Sequence, residues 1–525
     1  MTREVENVDV LIVGSGPAGA TYARTICERV PRARVLMVEV GPVIPGTRGE
    51  HSQNMTDEER AAAQLLTQGP DAGVVRATAL SDIASGIDPS MEFRQTVLPG
   101  LFFVDPRPDL APGEVGLPAA SMASGVGGMG IHWGTSSPRP QQSERVTFFS
   151  DGEMEAALDR AEELLGTQKP AVPGQGLPEA LRRAIAEVLD GPDVTPTGFM
   201  PSSTRWEDGS VRFAGTGAIL GELEATAPGF ELRAETLAKR VLVDGDGVAR
   251  GVVLEDRVTG EEYRVDADHV VVCADGLRTP QLLFASGIRP PALGRHLNEH
   301  FQMATFVALS DEFDPEAFET DPSNVLSVLA PFSDSRRFQV GAIALANSAF
   351  KIALGDGDGL GDDTASRLAI VACYGAKDIQ YSDAVEFSET EHDFYGMPRM
   401  NIRYSRTDDD LALIERMRST SIAVADRIGA ALEAPELAAG GSSLHYQGTV
   451  RMGAVDDGES VCDPELRVWG TRNLYVGGNG VIPTATASNP TLTTVALAWR
   501  AATRLAEEVA GEAKSARADQ PVSVA

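Results

Sequence analysis

Val8-Asp-Val-Leu-Ile-Val13 is a short β-branched apolar run, the pattern of a strand buried on both faces. It stops at Gly14-Ser-Gly16-Pro-Ala-Gly19, after which Ala20 to Arg29 has helical spacing. A second apolar run, Arg34 to Glu39, ends in a carboxylate. Strand, glycine turn, helix and strand in this order predict a βαβ unit. Residues 55–115 are irregular, with a helix over Asp57 to Leu66. From Leu232 to Val272 short β runs, broken by a Gly245-Asp-Gly247 turn, predict a meander and then a return strand of the main sheet, His269 to Ala274. Phe301 to Leu309, Gln339 to Ala346, Leu368 to Cys373 and Met400 to Tyr404 read as strands of an inserted unit, and Leu411 to Leu432 reads as a helix. Asn489 to Val509 opens with Asn-Pro and continues as a strongly apolar helix that completes the first unit. The expected division is 1–300, with a loop insertion at about 45–115, then 301–435, a return at 436–512, and a loose tail at 513–525.

Composition narrows the class. With 42% hydrophobic and 23% charged residues, the 525-residue chain is neither disordered nor membrane-spanning. The 45 Lys plus Arg against 76 Asp plus Glu give a formal charge of −31, which repels a nucleic-acid backbone and an anionic membrane alike. It also disfavours self-association, so a monomer or small homo-oligomer is expected. Cys27, Cys273, Cys373 and Cys462 form no CxxC pair and are expected to be buried free thiols. No stretch has the roughly 18 apolar residues of a bilayer crossing, and the acidic start does not read as a secretory signal, so a cytoplasmic protein is expected.

The glycine turn points to a nucleotide. Gly14 permits the tight turn, Gly16 lets backbone approach a pyrophosphate, and Gly19 lets helix pack on strand; the helix N-terminus offers free N–H groups and a positive dipole. Glu39 stands where a dinucleotide fold hydrogen-bonds the adenosine ribose, and an acid there favours FAD or NAD over a 2′-phosphorylated cofactor. His296 and His300, four apart, lack a third metal ligand of suitable type, so no metal is expected. The acidic loop Gly355 to Asp363 lacks the spaced acids and closing Glu of a calcium loop.

Further motifs carry a resemblance. These are Gly127-Gly-Met-Gly-Ile-His132-Trp133, Leu293-Gly-Arg-His-Leu-Asn-Glu-His300, Phe387-Ser with Tyr395-Gly-Met-Pro398, Leu444-His445 through Gly453, and Gly477-Gly-Asn-Gly through Asn489-Pro-Thr-Leu-Thr493. Together with the N-terminal motif they resemble the glucose–methanol–choline (GMC) oxidoreductases, and within them the pyranose oxidase branch. The resemblance implies an α/β fold, α+β overall, in which a discontinuous Rossmann-like FAD-binding domain joins a substrate domain built on an antiparallel sheet. It also implies oxidation of a secondary hydroxyl, C2 or C3, of a sugar or glycoside, including C-glycosides.

The same resemblance assigns residues. His445 matches the catalytic histidine that takes the hydroxyl proton, and Asn489 matches the partner that donates a hydrogen bond to the same oxygen. Gly128, Met129, His132, Trp133, Gly478, Asn479, Pro490 and Thr491 match cofactor-binding positions, the helix after Pro490 facing the part of the flavin that becomes negative on reduction. Arg337, Phe338 and Gln339 fall in the segment that forms a substrate loop. In fungal pyranose oxidases the histidine corresponding to His132 bonds covalently to the flavin and a Thr stands where this chain has Gly134. That difference leaves covalent and non-covalent FAD both open, and dioxygen and quinone both open as acceptor. Two other readings stand beside this one: a GMC enzyme for a non-sugar alcohol, and a non-redox binding protein on a flavoprotein fold.

Overall fold

The computed structural model describes residues 5–44, 48–68, 98–104, 110, 112–168, 176–207, 210–315, 318, 327–344 and 367–518. The acidic loop at 355–363 and much of the 45–115 insertion lie outside the described residues. In chain order the elements that frame the site are β1 (Glu6–Val13), α1 (Pro17–Arg29), β2 (Val35–Val38), α2 (Asp57–Gln68), α3 (Asp151–Leu165) and α4 (Leu177–Leu189). Next come β3 (Phe230–Arg233), β4 (Thr236–Val243), β5 (Ala249–Asp256), β6 (Glu262–Val272) and α5 (Asp275–Ala285). The remainder holds β7 (Phe301–Leu309), β8 (Val328–Ala330), β9 (Phe338–Ala344), β10 (Leu368–Gly375), α6 (Asp408–Ile428), β11 (Leu474–Val476) and α7 (Thr491–Ala518).

The first sheet runs β3-β2-β1-β6-β5-β4, with β11 also paired to β6. β1 is parallel to both β2 and β6, which brings the glycine turn to the carboxyl end of the sheet. The expected meander strand and return strand are one continuous β6. Its first half pairs antiparallel with β5, Gly251 opposite Asp266, and its last residues pair parallel with β11, Val270 opposite Leu474. Burial along β6 follows this change: residues alternate in the first half, and Val270, Val271 and Val272 are all buried where both faces are covered.

α7 supplies Leu492, Val495, Ala496, Leu505 and Val509 to the same core as Val10, Leu11 and Ile12 of β1 and Ala20, Ala23 and Ile26 of α1. It continues through Ala518, into the stretch expected to be a tail, because Glu512-Ala-Lys-Ser-Ala-Arg-Ala518 is rich in strong helix formers.

The second sheet is antiparallel, in the order Gly429–Ala431, β7, β10, β9, β8, Gly198–Phe199. α4 and α6 cover one face, where Phe301, Met303, Val307, Phe338, Val340, Val371 and Cys373 pack with Leu181, Ile185, Leu413 and Met417. This layer is not confined to 301–435, since α4 and Gly198–Phe199 come from an earlier stretch. α6 begins at a capping box made by Thr407 and Asp410 and ends before Gly429. A Cβ on Gly429 would lie 2.0 Å from the carbonyl oxygen of Ala308, so the chain turns into the sheet there instead of continuing as helix to 432. The Met400 strand, observed as Pro398–Arg403, pairs with Ala384–His392 in a separate hairpin.

Candidate active site

Gly14 has φ +99°, and a Cβ there would lie 2.3 Å from the carbonyl oxygen of Cys273; one on Gly19 would lie 2.0 Å from that of Gly14. Both glycines are therefore fixed by backbone contact. α1 begins at Gly16 with no side chain capping its N–H groups and no acid in its first turn, which leaves the donors available to an anion. Gly128 lies against this turn, since its Cβ would stand 3.0 Å from Gly16 Cα. The Glu39 carboxylate ties these pieces together: Oε2 accepts from Ser15 N and Oγ at 3.2 and 2.7 Å, and Oε1 from Gly41 N and Gly125 N, both at 3.2 Å. Burial raises its pKa, and the bonds from Ser15 and Gly41 and the nearby Arg278 charge oppose that rise.

The second glycine cluster forms a 3-10 turn, Gly128–Ile131, that delivers His132 and Trp133. His132 Nδ1 lies 3.2 Å from Ser52 Oγ, while its Nε2 is buried without a hydrogen-bond partner. Burial lowers the pKa of His132 to about 3, with His51 a second cause, so the ring is neutral. His51 Nδ1 accepts from Gln53 N and its Nε2 donates to the Trp133 carbonyl at 2.7 Å; Trp133 Nε1 donates to the Ala214 carbonyl. At the same carboxyl end of the sheet, after β11, Gly478 has φ +104°, and Asn479 Oδ1 accepts from Thr494 Oγ1 at the start of α7, close after Pro490 and Thr491.

His445 Nδ1 lies 2.7 Å from His300 Nε2, with the two rings crossing edge to face. One proton must lie between two imidazole nitrogens that close. The carbonyls of Thr486 and Ala487 favour a proton on His300, and with His300 Nε2 facing His445 that proton is assigned to Nδ1. His300 Nε2 then accepts from His445 Nδ1–H, and His445 Nε2 keeps its lone pair. Burial lowers the His445 pKa to about 4 and lowers that of His300 well below its ordinary value, so both rings are neutral near pH 7.

Asn489 is oriented in a comparable way. Gln339 Nε2 donates to Asn489 Oδ1 at 2.9 Å, which leaves the Asn489 Nδ2 donor unassigned to protein. Of the three expected substrate contacts, only Gln339 points here. Phe338, its neighbour on the strand, faces the opposite way and is 3% exposed in the helix-covered core, while Arg337, before the strand begins, pairs with Asp378 at 2.8 Å.

Two buried glutamates hold the loops that carry this pair. Glu299 Oε2 accepts from Gly441 N and Oε1 from Ser443 Oγ, whose oxygen in turn accepts from His445 N. Glu144 Oε1 accepts from Ala487 N at 2.7 Å and Ser488 N at 2.8 Å, just before Asn489. Burial raises both carboxyls to about 7.

Models of the GMC oxidoreductase family match residues 141–302 and 384–498. The chain is 42% identical over 521 residues to a C-glycoside 3-oxidase of Microbacterium trichothecenolyticum, a match covering 97% of this chain and 98% of that one. The chain belongs to the GMC oxidoreductases. Other members of the family match it at nearly full length. A C-glycoside 3-oxidase of Arthrobacter globiformis is 40% identical over 96% of this chain and 95% of that one. A pyranose 2-oxidase of Tricholoma matsutake is 30% identical over 95% and 93% respectively. The solved structure of pyridoxine 4-oxidase from Mesorbium loti superposes with a TM-score of 0.61 at 18% identity, covering 95% of this chain and 99% of that one, and shares the fold.

Within this GMC oxidoreductase, the sequence reading passed over His300, Glu299, Glu144 and Ser15. His300 ends the Leu293–His300 motif and stands four residues from His296, but neither feature assigned it this role, and His296 Nε2 faces Glu459 at 3.3 Å and takes no part in the pair. Among the described residues no group of three His, Cys, Asp or Glu could hold a metal, and no helix is long and apolar enough to cross a membrane.

Proposed function

We propose that this GMC oxidoreductase oxidises the C3 hydroxyl of a pyranoside to a ketone, with FAD as resident cofactor and dioxygen as acceptor. The observation that carries the reading is the His300–His445 bond, which leaves a neutral imidazole with a free Nε2; Tyr374, whose ring lies 4.9 Å from that of His300, is the strand partner of Gln339, which orients the Asn489 amide. His445 Nε2 takes the hydroxyl proton, and Asn489 Nδ2 donates to the oxygen as it gains negative charge. FAD, when bound, supplies the two-electron acceptor for the hydride that leaves the same carbon. The alcohol thus loses a proton and a hydride, and dioxygen receives their equivalent as hydrogen peroxide. The names of the two relatives at 42% and 40% identity support C3 over C2 and dioxygen over a quinone.

The residues present fit FAD. The N–H groups of α1 are uncapped at the glycine turn, and Glu39 directly follows β2. His132 Nε2 and Gln339 Oε1 are buried polar atoms without a hydrogen-bond partner among the described residues, which a bound group can satisfy. His132, Trp133, Gly478, Asn479, Pro490 and Thr491 would line the isoalloxazine end, and Gly14, Gly16, Gly19, Gly128, Met129 and Glu39 the nucleotide end.

His445→Ala is expected to retain flavin absorbance while anaerobic bleaching by glycoside slows about 100-fold or more. Bleaching at the unaltered rate would overturn the role of His445. A purified protein without flavin absorbance would overturn the whole reading. Acid precipitation reports the linkage to His132: a yellow pellet means a covalent bond, and a yellow supernatant means none. Peroxide yield in air, set against quinone turnover, identifies the acceptor.

A further inference from the structure

Three chain segments carry the reacting groups: one ends in Asn298-Glu299-His300, one runs His445-Tyr446-Gln447, and one runs Thr486-Ala487-Ser488-Asn489. Gln447 touches both of the other segments. Its backbone exchanges two hydrogen bonds with Asn298, Asn298 N to Gln447 O at 2.9 Å and Gln447 N to Asn298 O at 2.7 Å. Its side-chain Nε2 donates to Thr486 Oγ1 at 2.8 Å. Thr486 Oγ1 in turn lies 3.3 Å from the Ser488 carbonyl oxygen, in the peptide unit that leads into Asn489, and 3.3 Å from Gln447 Oε1. The carbonyl of Thr486 faces His300, so this threonine meets His300 through its backbone and Gln447 through its hydroxyl.

The other supports of the site do not span from His445 to Asn489. Glu144 ties Ala487 and Ser488 to its own segment, and Glu299 ties Gly441 and Ser443 to the His300 segment. Backbone bonds from Val450 N to the Gly480 carbonyl and from Met452 N to the Val481 carbonyl also join the second and third segments, but farther along the chain from the two reacting residues. The separation matters because a proton acceptor and an amide donor must reach the same oxygen. A displacement of about 1 Å is enough to cost about 100-fold in rate. A hydrogen bond enclosed by protein, with no water to compete for it, is suited to holding such a distance.

We propose that Gln447 and Thr486 are positioning residues whose side-chain bond fixes the separation of the His445 imidazole and the Asn489 amide, and so sets the rate of the oxidation step without setting the affinity for substrate. The proposal rests on the roles given to His445 and Asn489 above. Gln447 is 0% and Thr486 1% exposed, so substrate meets His445 and Asn489 and not the link behind them. Loss of the link leaves both reacting side chains in place and lets their segments shift relative to each other.

The test uses the holoenzyme and follows anaerobic flavin bleaching by glucose and by methyl and phenyl β-glucosides, reading the limiting rate and the half-saturating concentration separately. Gln447→Met and Thr486→Val keep side-chain volume and remove the bond. Each is expected to lower the limiting rate about tenfold while half-saturation moves less than about twofold. The double variant should be about as slow as the slower single variant, because the same bond is lost only once. Thr486→Ser keeps the hydroxyl and should stay within about twofold of the parent rate. Far-UV circular dichroism and flavin content check that each variant is folded, and if the double variant is not, the contrast between Thr486→Val and Thr486→Ser decides. An unchanged limiting rate in folded Gln447→Met, a loss carried by half-saturation instead of rate, losses that multiply in the double variant, or equal losses in Thr486→Val and Thr486→Ser would overturn the link while leaving sugar oxidation in place. A parent enzyme that none of the three compounds bleaches would overturn the underlying reading and the link with it.

Discussion

At the scale of single residues, the lowered pKa of His445 sets the pH range in which it can accept a proton. Its ordinary value is 6.5, and burial brings it to about 4. The acid limb of the bleaching rate is therefore expected near pH 4, measured by stopped flow across pH 3.5–8. His300 fixes the tautomer without itself contacting the reacting carbon in this arrangement, which makes it a positioning residue. His300→Phe keeps a ring and removes the acceptor for His445 Nδ1–H, so the rate should fall about 10- to 100-fold with flavin content retained. Restoration of part of that rate by His300→Gln, whose side-chain oxygen can accept the same bond, would separate positioning from packing. His445 and Asn489 were singled out in the sequence because each lies in a motif whose resemblance assigns it a role. His300 also ends a motif, but its pairing with His445 was not readable, because the two lie 145 residues apart and only tertiary contact joins them.

Among the structural elements, the loops before His445 and Asn489 are held by carboxylates from elsewhere in the chain. Glu144 accepts two successive backbone N–H groups, so Glu144→Ala leaves buried donors unmatched. A loss of about 2 kcal/mol, read from denaturant unfolding, is expected, together with a lower bleaching rate from a displaced Asn489. The two raised carboxyls, Glu144 and Glu299, also give a signed pH effect. Each holds its proton up to about pH 7 when folded against 4.5 when unfolded, so their contribution is complete below 4.5 and is lost as pH rises toward 7. Glu144→Gln and Glu299→Gln should flatten the part of the Tm-against-pH curve between those values. Periodicity revealed β1, β7 and α7, whose apolar patterns are strong. It did not reveal that β6 serves both halves of a sheet, or that α4 belongs with the second sheet, because pairing partners are decided by topology.

For the molecule as a whole, the formal charge of −31 acts on every compact state at once. Self-repulsion opposes folding and is screened by salt, so raising NaCl from about 20 to about 200 mM should raise Tm by a few degrees, measured by scanning calorimetry on the flavin-loaded protein. The excess of acid was plain from composition. How the two sheets meet was not, because Gln339 and Asn489 are joined by one hydrogen bond between strands and loops far apart in the chain. The placement of α7 also has a consequence for how the protein is made. Synthesis delivers β1 and α1 hundreds of residues before the helix that covers them. Until α7 emerges, the apolar surface of the nucleotide fold stays open and Asn489 is missing from the site. A nascent chain therefore has to be shielded from aggregation until α7 has been translated, and completion of the nucleotide fold and arrival of the amide donor are coupled in the docking of that one segment.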